Sequence, residues 1–384
     1  MLQAKQLGKE LFVGVHSDED IAFNKGPVVM HLDERVLAVE ACKWSNHVVS
    51  SSPYVTDPQV MDDYGCQYVV HGDDITTDAS GEDCYKAVKD MGRFLVVKRT
   101  QGISTTDLVG RMLLFTKSHH IASLKELPES SEGSSSVEGK AILSDGKSSL
   151  SNEPIHALYS AEVLSQFKSY ATCYDGLTPG SIVAFATAKN LQTVIQPSPQ
   201  TSALLANGIY YTDGGFDLFN PGHIEALRLI HLRARAAGCA VVAGVHDDRA
   251  VNSNKGINYP IMNVVERALC VLQCAYVDGI VVGAPSAPTK EYLGLLSAVG
   301  SVKKIFHGPT SEAIQVGKQF VDPYHDVRDL GLNEKLGEHR YSDISTEAIV
   351  ERVLVNRLAY EERQKKKGWK GEVERKLLEA EKRN

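Results

Sequence analysis

Leu11-Phe-Val-Gly-Val-His16-Ser-Asp18, followed by Asn24-Lys25-Gly26 and Asp33-Glu34-Arg35, is written a second time as Val241-Val-Ala-Gly-Val-His246-Asp-Asp248, Asn254-Lys255-Gly256 and Val265-Glu266-Arg267. The histidines stand 246 − 16 = 230 residues apart and the arginines 267 − 35 = 232, so the second copy carries two extra residues between them. A match of this length in one order marks a duplicated domain. Short apolar runs alternate with helical periodicity in both copies. In the first, Leu11 to Val15, His47 to Val49 and Tyr68 to His71 read as strands, with helices at Leu32 to Trp44 and Val60 to Tyr64. In the second, Ile209 to Thr212, Ala240 to Val245, Gly279 to Val282 and Lys304 to His307 read as strands. The pattern predicts an α/β fold with parallel sheets and helices on both faces. Ligands bind beyond the carboxyl ends of such strands, where both copies place their polar residues.

Upstream of the second copy lies Asp213-Gly-Gly215-Phe216-Asp217-Leu-Phe-Asn220-Pro-Gly222-His223, a strand-to-helix turn of the kind that brings phosphate to a helix start. Its counterpart in the first copy falls ahead of Met1, so the first domain is expected to lack its first strand and this turn within these residues. The N-terminal residues read as the second half of an amphipathic helix.

The 384 residues suffice for two cores. A 43% apolar share and 23% charge are those of a water-soluble chain, and no apolar run nears the roughly 18 residues that span a bilayer. The formal charge of −7 gives no general attraction for nucleic acid or anionic lipid, so a polyphosphate must be held by local cations and backbone amides. Seven cysteines without paired metal spacing read as reduced thiols of a cytosolic protein, with no metal site. The predicted organisation is a first domain over 1–120, a linker and insertion over 121–207, a second domain over 208–360 and a charged helical tail over 361–384. Ser130 to Ser151, rich in Ser and Gly, is the flexible part of that linker, and Ser181 to Asn207 has no counterpart in the first copy.

The chemistry-bearing residues cluster at the predicted strand ends. Gly215 lets the backbone approach phosphate, with Phe216 beside it, while Asn220 and His223 can donate to phosphate oxygens as charge develops. Lys25 and Lys255, each before a glycine in a predicted loop, can neutralise phosphates. His71-Gly-Asp73-Asp74 and His307-Gly308-Pro-Thr310 end apolar strands where a base or ribose can come close. Lys98-Arg99-Thr100-Gln-Gly102-Ile-Ser104-Thr105-Thr106-Asp107 gathers a guanidinium, hydroxyls and free amides at one helix start, a site suited to a triphosphate tail. Its counterpart, Ile344-Ser345-Thr346-Glu347-Ala-Ile349, puts an anion where phosphate would sit.

With these motifs in order over nearly the whole chain, the sequence resembles the ethanolamine-phosphate cytidylyltransferases, and the tandem copies favour them over the choline-phosphate and glycerol-3-phosphate enzymes sharing the domain. The resemblance implies two Rossmann-like nucleotidyltransferase domains. It implies the reaction of CTP with phosphoethanolamine to give CDP-ethanolamine and pyrophosphate, with Mg2+ accompanying CTP, on the route to phosphatidylethanolamine. Carried over position by position, it gives Lys25, Asp73, Arg99, Thr100, Gly102 and Ser104 to Thr106 as the first copy's contacts. In the second it gives Gly215, Phe216, Asn220, His223, Lys255, His307, Gly308, Thr310, Ser345, Thr346 and Ile349. His223, Lys25 and Lys255 would stabilise charge on the phosphates. Trp44, Tyr54 and nearby acids are candidates for the ethanolamine ammonium. The expected location is cytoplasmic, at most peripheral to the endoplasmic reticulum; the oligomeric state stays open. Without that turn in the first copy and with Asn220 and Glu347 in the second, the chain as given is expected to be inactive or nearly so, and a form extended upstream through an intact histidine turn would restore the enzyme. Two alternatives remain: a catalytically impaired cytidine-nucleotide-binding protein, and an enzyme of the choline-phosphate type.

Overall fold

The structure is a computed structural model that describes residues 1–74, 76–98, 105–121, 158–187, 189–308, 314–316 and 319–362. The first copy runs α1 (Leu2–Lys5), β1 (Phe12–Val15), α2 (Asp18–Lys25), α3 (Leu32–Glu40), β2 (His47–Ser50), α4 (Pro58–Asp63), β3 (Val69–Gly72), α5 (Lys86–Asp90), β4 (Phe94–Val97) and α6 (Thr105–Leu114). Between the copies come α7 (Ala161–Tyr170), β5 (Ile182–Ala186), β6 (Leu191–Ile195) and α8 (Pro199–Asn207). The second copy opens with β7 (Ile209–Gly214), α9 (Pro221–Ala236), β8 (Ala240–His246), α10 (Asp248–Lys255), α11 (Val264–Leu272), β9 (Gly279–Ala284) and α12 (Lys290–Leu296). It closes with β10 (Val302–His307), β11 (Ile314–Val316), β12 (Gln319–Val321), α13 (His325–Asp329), β13 (Asn333–Lys335) and α14 (Thr346–Val355).

The second copy is built on a seven-stranded sheet of order β13-β10-β7-β8-β9-β5-β6, in which only β5 and β6 pair antiparallel. Alternate residues of its strands feed two cores. Val183, Phe185, Ala243, Val245, Ile280 and Val282 meet α7, α9 and α11 on one face. Ile182, Ala184, Ala240, Val242 and Val281 meet α8, α12 and α13 on the other. Burial on both faces explains why these strands read as continuous apolar runs. Ser181 to Asn207, the stretch without a counterpart in the first copy, adds β5 and β6 to the second sheet beyond β9, and Pro199 opens α8 at its first helical position, where its missing N–H costs nothing.

In the first copy the repeat matches β1 to β8, β2 to β9, β3 to β10 and β4 to β13. Here β1 and β2 form one parallel pair and β3 and β4 another, and no strand of the described residues takes the place that β7 holds between β8 and β10. Flanked less completely, β1 buries only Val15, whereas β8 buries everything from Ala240 to Val245.

The copies face each other through matching elements. α6 packs on α14, and Val109, Met112 and Leu113 join Ile349, Val350 and Val353 in one core. Glu34 and Glu266, which cap α3 and α11, each receive an arginine from the other copy: Arg352 reaches Glu34 at 2.7 and 2.9 Å, and Arg111 reaches Glu266 at 2.8 and 3.0 Å. Lys43 N–H donates to Gln273 O at 3.0 Å and Ala275 N–H to Ala41 O at 2.8 Å, so the exchange is reciprocal about a near-twofold axis.

Candidate functional site

The end of β7 turns into α9 through two non-glycine residues in the left-handed region, Phe216 (φ 50°) and Leu218 (φ 44°). Each such conformation costs about 1–3 kcal/mol and persists only where its surroundings hold it. Asp217 supplies the hold: its carboxylate accepts the backbone N–H groups of Ile261 (2.7 Å) and Met262 (2.9 Å), and its carbonyl accepts the Thr346 hydroxyl at 2.7 Å. Arg267, fully buried, ties the turn to the rest of the site by donating to Gly215 O, His246 O and Asp248 Oδ1. Arg35 repeats this arrangement with His16 O at 2.8 Å and Asp18 Oδ1 at 2.5 Å.

Asn220 caps α9, its Oδ1 accepting from Gly222 N (3.0 Å) and His223 N (3.3 Å). Its Nδ2, buried, has no hydrogen-bond partner among the described residues. Asn220 N–H donates to His223 Nδ1 at 3.3 Å, which leaves the ring proton on Nε2 as a donor. Burial, reinforced by Lys255, brings the His223 pKa down to about 4, so the imidazole is neutral at physiological pH. Gly222 is required by packing more than by turn geometry, because a Cβ there would lie 2.5 Å from Ile344 O. The start of α9 thus lies close against the loop that leads into α14.

Lys25 and Lys255 do not lie in loops, as the sequence reading placed them. They are the last residues of α2 and α10, each stopped by a glycine of positive φ, Gly26 and Gly256, so that each cation sits where a helix C-terminus favours it. Their surroundings differ. Lys25 lies 5.5 Å over the ring of Tyr54, which packs 5.0 Å from His16. Lys255 is bound to the Glu347 carboxylate at 2.7 Å. Burial alone would raise the Glu347 pKa, but Lys255 overrides it and the net shift is downward. Glu347 stands in the first turn of α14, where the helix start favours an anion, and so the second copy carries its own anion at the position the first fills with Thr106.

Farther along the strand ends, His307 directs Nδ1 to Gly308 O at 3.1 Å and stacks on Tyr324 with ring centres 4.5 Å apart. Tyr324 donates to Asp213 Oδ1 at 3.1 Å; the other Asp213 oxygen is buried without a hydrogen-bond partner among the described residues, and burial raises this carboxyl to about 7. In the first copy His71 takes the matching place, 4.7 Å from the ring of Tyr85 and 4.0 Å from Asp74. Asp73 is exposed on the same turn.

Several of the expected contact residues also have structural partners. Ile349 is buried and packs in the core that α6 and α14 share. Thr346 spends its hydroxyl on Asp217, Ser345 caps Ala348 N at 3.2 Å, and Phe216 is largely buried against Phe219 and His223. Trp44 lies beyond the end of α3, is buried and donates to Cys173 O at 3.1 Å, which removes it from the ammonium candidates; Tyr54 stays beside Lys25. Thr105 and Thr106 open α6, while Arg99, Thr100, Gly102, Ser104 and Thr310 lie outside the described residues. The sequence reading gave no site role to Asp217, Arg267 or Tyr324. The duplicated Glu-Arg of Glu34-Arg35 and Glu266-Arg267 was the available signal for the arginine.

Among the described residues no three His, Cys, Asp or Glu side chains gather as a metal site. The seven cysteines are free, and no described helix is long and apolar enough to cross a membrane.

Residues 1–111 and 211–352 match the family model described as cytidylyltransferase-like. The ethanolamine-phosphate cytidylyltransferase of Dictyostelium discoideum is 40% identical over 366 residues, covering 95% of this chain and 88% of that protein. The Mus musculus protein of the same name is 40% identical over 365 residues, covering 95% and 84%. Choline-phosphate cytidylyltransferase A of Mus musculus is similar over a shorter span, 37% identical over 115 residues, or 29% of this chain and 31% of its own length.

Proposed function

Because this chain belongs to the ethanolamine-phosphate cytidylyltransferase family, we propose that it joins CTP and phosphoethanolamine into CDP-ethanolamine with release of pyrophosphate, and that the first copy carries the transfer. The substrate phosphate is already a nucleophile at neutral pH. It attacks the α-phosphorus in line, and the protein's part is positioning and charge stabilisation, without a covalent intermediate or a general base. Mg2+ would accompany CTP and offset the charge that develops on its phosphates.

The observation that divides the copies is the Lys255–Glu347 pair at 2.7 Å. A triphosphate tail approaching the second copy meets a carboxylate at the helix start and a lysine already neutralised. In the first copy Thr106 stands at that position, so no carboxylate occupies it. The second copy supports the first through the interface and keeps a reduced nucleotide site around Asn220 and His223.

Pyrophosphate release by the full chain with CTP and phosphoethanolamine tests the assignment. Lys25→Ala should lower turnover about a hundredfold to a thousandfold, as loss of a charge-stabilising donor does, and Lys255→Ala by only a few-fold. The reverse order would move the reaction to the second copy. Equal use of phosphocholine would overturn the substrate, and nucleotide binding without release would favour a binding protein.

A further inference from the structure

Cys42 and Cys274 are counterparts in the repeat, spaced as Arg35 and Arg267 are, and they meet across the boundary between the copies. They are opposed residues of an isolated antiparallel bridge. Its two backbone hydrogen bonds, Lys43 N–H to Gln273 O and Ala275 N–H to Ala41 O, flank the cysteines and do not join them. Opposed residues in such a non-hydrogen-bonded pair have Cα atoms about 4.5 Å apart with side chains on the same face. A disulfide needs a Cα separation of roughly 4.4–6.8 Å. Both residues are buried, at 3% and 1% exposure, and both are free thiols.

We propose that Cys42 and Cys274 form a reversible disulfide that joins the two copies covalently at their near-twofold axis. The oxidant is a low-molecular-weight disulfide. One cysteine thiolate attacks it, forming a mixed disulfide and expelling one small thiolate; the second cysteine thiolate then displaces the other. The two protein thiols lose two protons and two electrons, the small disulfide becomes two thiols, and the new bond is Sγ–Sγ. Lys43 is placed among the reacting groups: its Nζ donates to Tyr170 O at 2.6 Å, and its charge acts on both thiols and on Cys173. Burial nonetheless raises Cys42 and pushes Cys274 up to about 12, so the pair rests as thiols and exchange accelerates as pH rises. The linkage is independent of which copy transfers the cytidylyl group, because it lies at the interface and not at the strand ends.

The test is to incubate the full chain with oxidised glutathione at mildly alkaline pH, quench with acid, unfold, alkylate and digest, and to identify linked peptides by mass spectrometry. The expected result is a Cys42–Cys274 peptide pair that dithiothreitol removes and that is lost in both Cys42→Ala and Cys274→Ala. Cys42→Ser serves as a second variant should the alanine form fold poorly. Recovery of both cysteines as alkylated free thiols after oxidation of the other accessible cysteines would overturn the proposal, as would linkage of either one to Cys173 without the 42–274 pair.

Discussion

Replacing Arg111 with alanine should loosen the two copies from each other more than any surface substitution can. The guanidinium forks onto Glu266 with bonds of 2.8 and 3.0 Å, donates to Ile261 O at 3.0 Å, and both side chains of the pair are only 11% exposed. Removing one member of a buried pair costs about 3–5 kcal/mol, mostly because the other charge is stranded. Glu266 keeps the Asn263 N–H at 2.8 Å, which puts the expected loss near the lower figure, about 3 kcal/mol. At the matching site Arg352 is 31% exposed, and Arg352→Ala should cost about 2 kcal/mol. The assay is urea unfolding followed by the fluorescence of Trp44, buried beside the interface. A double-mutant cycle with Glu266→Gln then isolates the coupling, expected at about 2 kcal/mol. A coupling below about 0.5 kcal/mol would show that the bridge does not hold the copies together.

Glu347→Thr should free Lys255 and tighten CTP in the second copy about tenfold while leaving CMP nearly unchanged, because only the tail reaches α14; calorimetric titration reads this, and equal gains for both nucleotides would sink it. The same change should cost under about 1 kcal/mol of stability, the pair being largely solvated. Asp213, raised from 3.8 to about 7, holds its proton more tightly folded than unfolded, so its contribution to stability is lost as pH climbs through that window. His223 and His246, lowered to about 4 and about 3, work oppositely and lose stability as pH falls below 6.5. The difference between the native and Asp213→Asn stability profiles should therefore change by up to about 4 kcal/mol between acid and neutral pH and level off above it, and a flat difference would contradict the buried carboxyl. Gly222→Ala should cost about 2–3 kcal/mol and lower nucleotide affinity at the second copy, since the new Cβ meets Ile344 O; unchanged thermal stability would show that the loop yields.

The duplication, the parallel sheets and most strand positions could be read from the chain because apolar runs such as Val241 to Val245 are buried on both faces and carry an unambiguous pattern. Helices α2 and α10 escaped notice: Asp18–Lys25 and Asp248–Lys255 are short and polar, held by side-chain caps from Ser17 and Asp247 rather than by an apolar stripe. The pairing of the segment 181–207 could not be read, because β5 is completed by β9, a partner nearly a hundred residues on, which local periodicity cannot reveal. At the site, residue types told which groups could touch phosphate, but not which were already engaged. Glu347 could be read as an anion where phosphate would sit, but its pairing with Lys255 at 2.7 Å could not. Thr346 looked like a ligand, and its hydroxyl belongs to Asp217.

The reciprocal contacts between the copies also change what dilution can do. An interface in which each side offers the same patch is the geometry of a twofold dimer, and here both patches lie on one chain. Closing it is a unimolecular event, set by tether length and not by protein concentration. The halves therefore stay associated at concentrations where separate subunits would part. Freed from having to be identical, they have also been able to diverge at matched positions, Thr106 against Glu347 and Tyr54 against Ser286, without losing the symmetry of the surface that joins them.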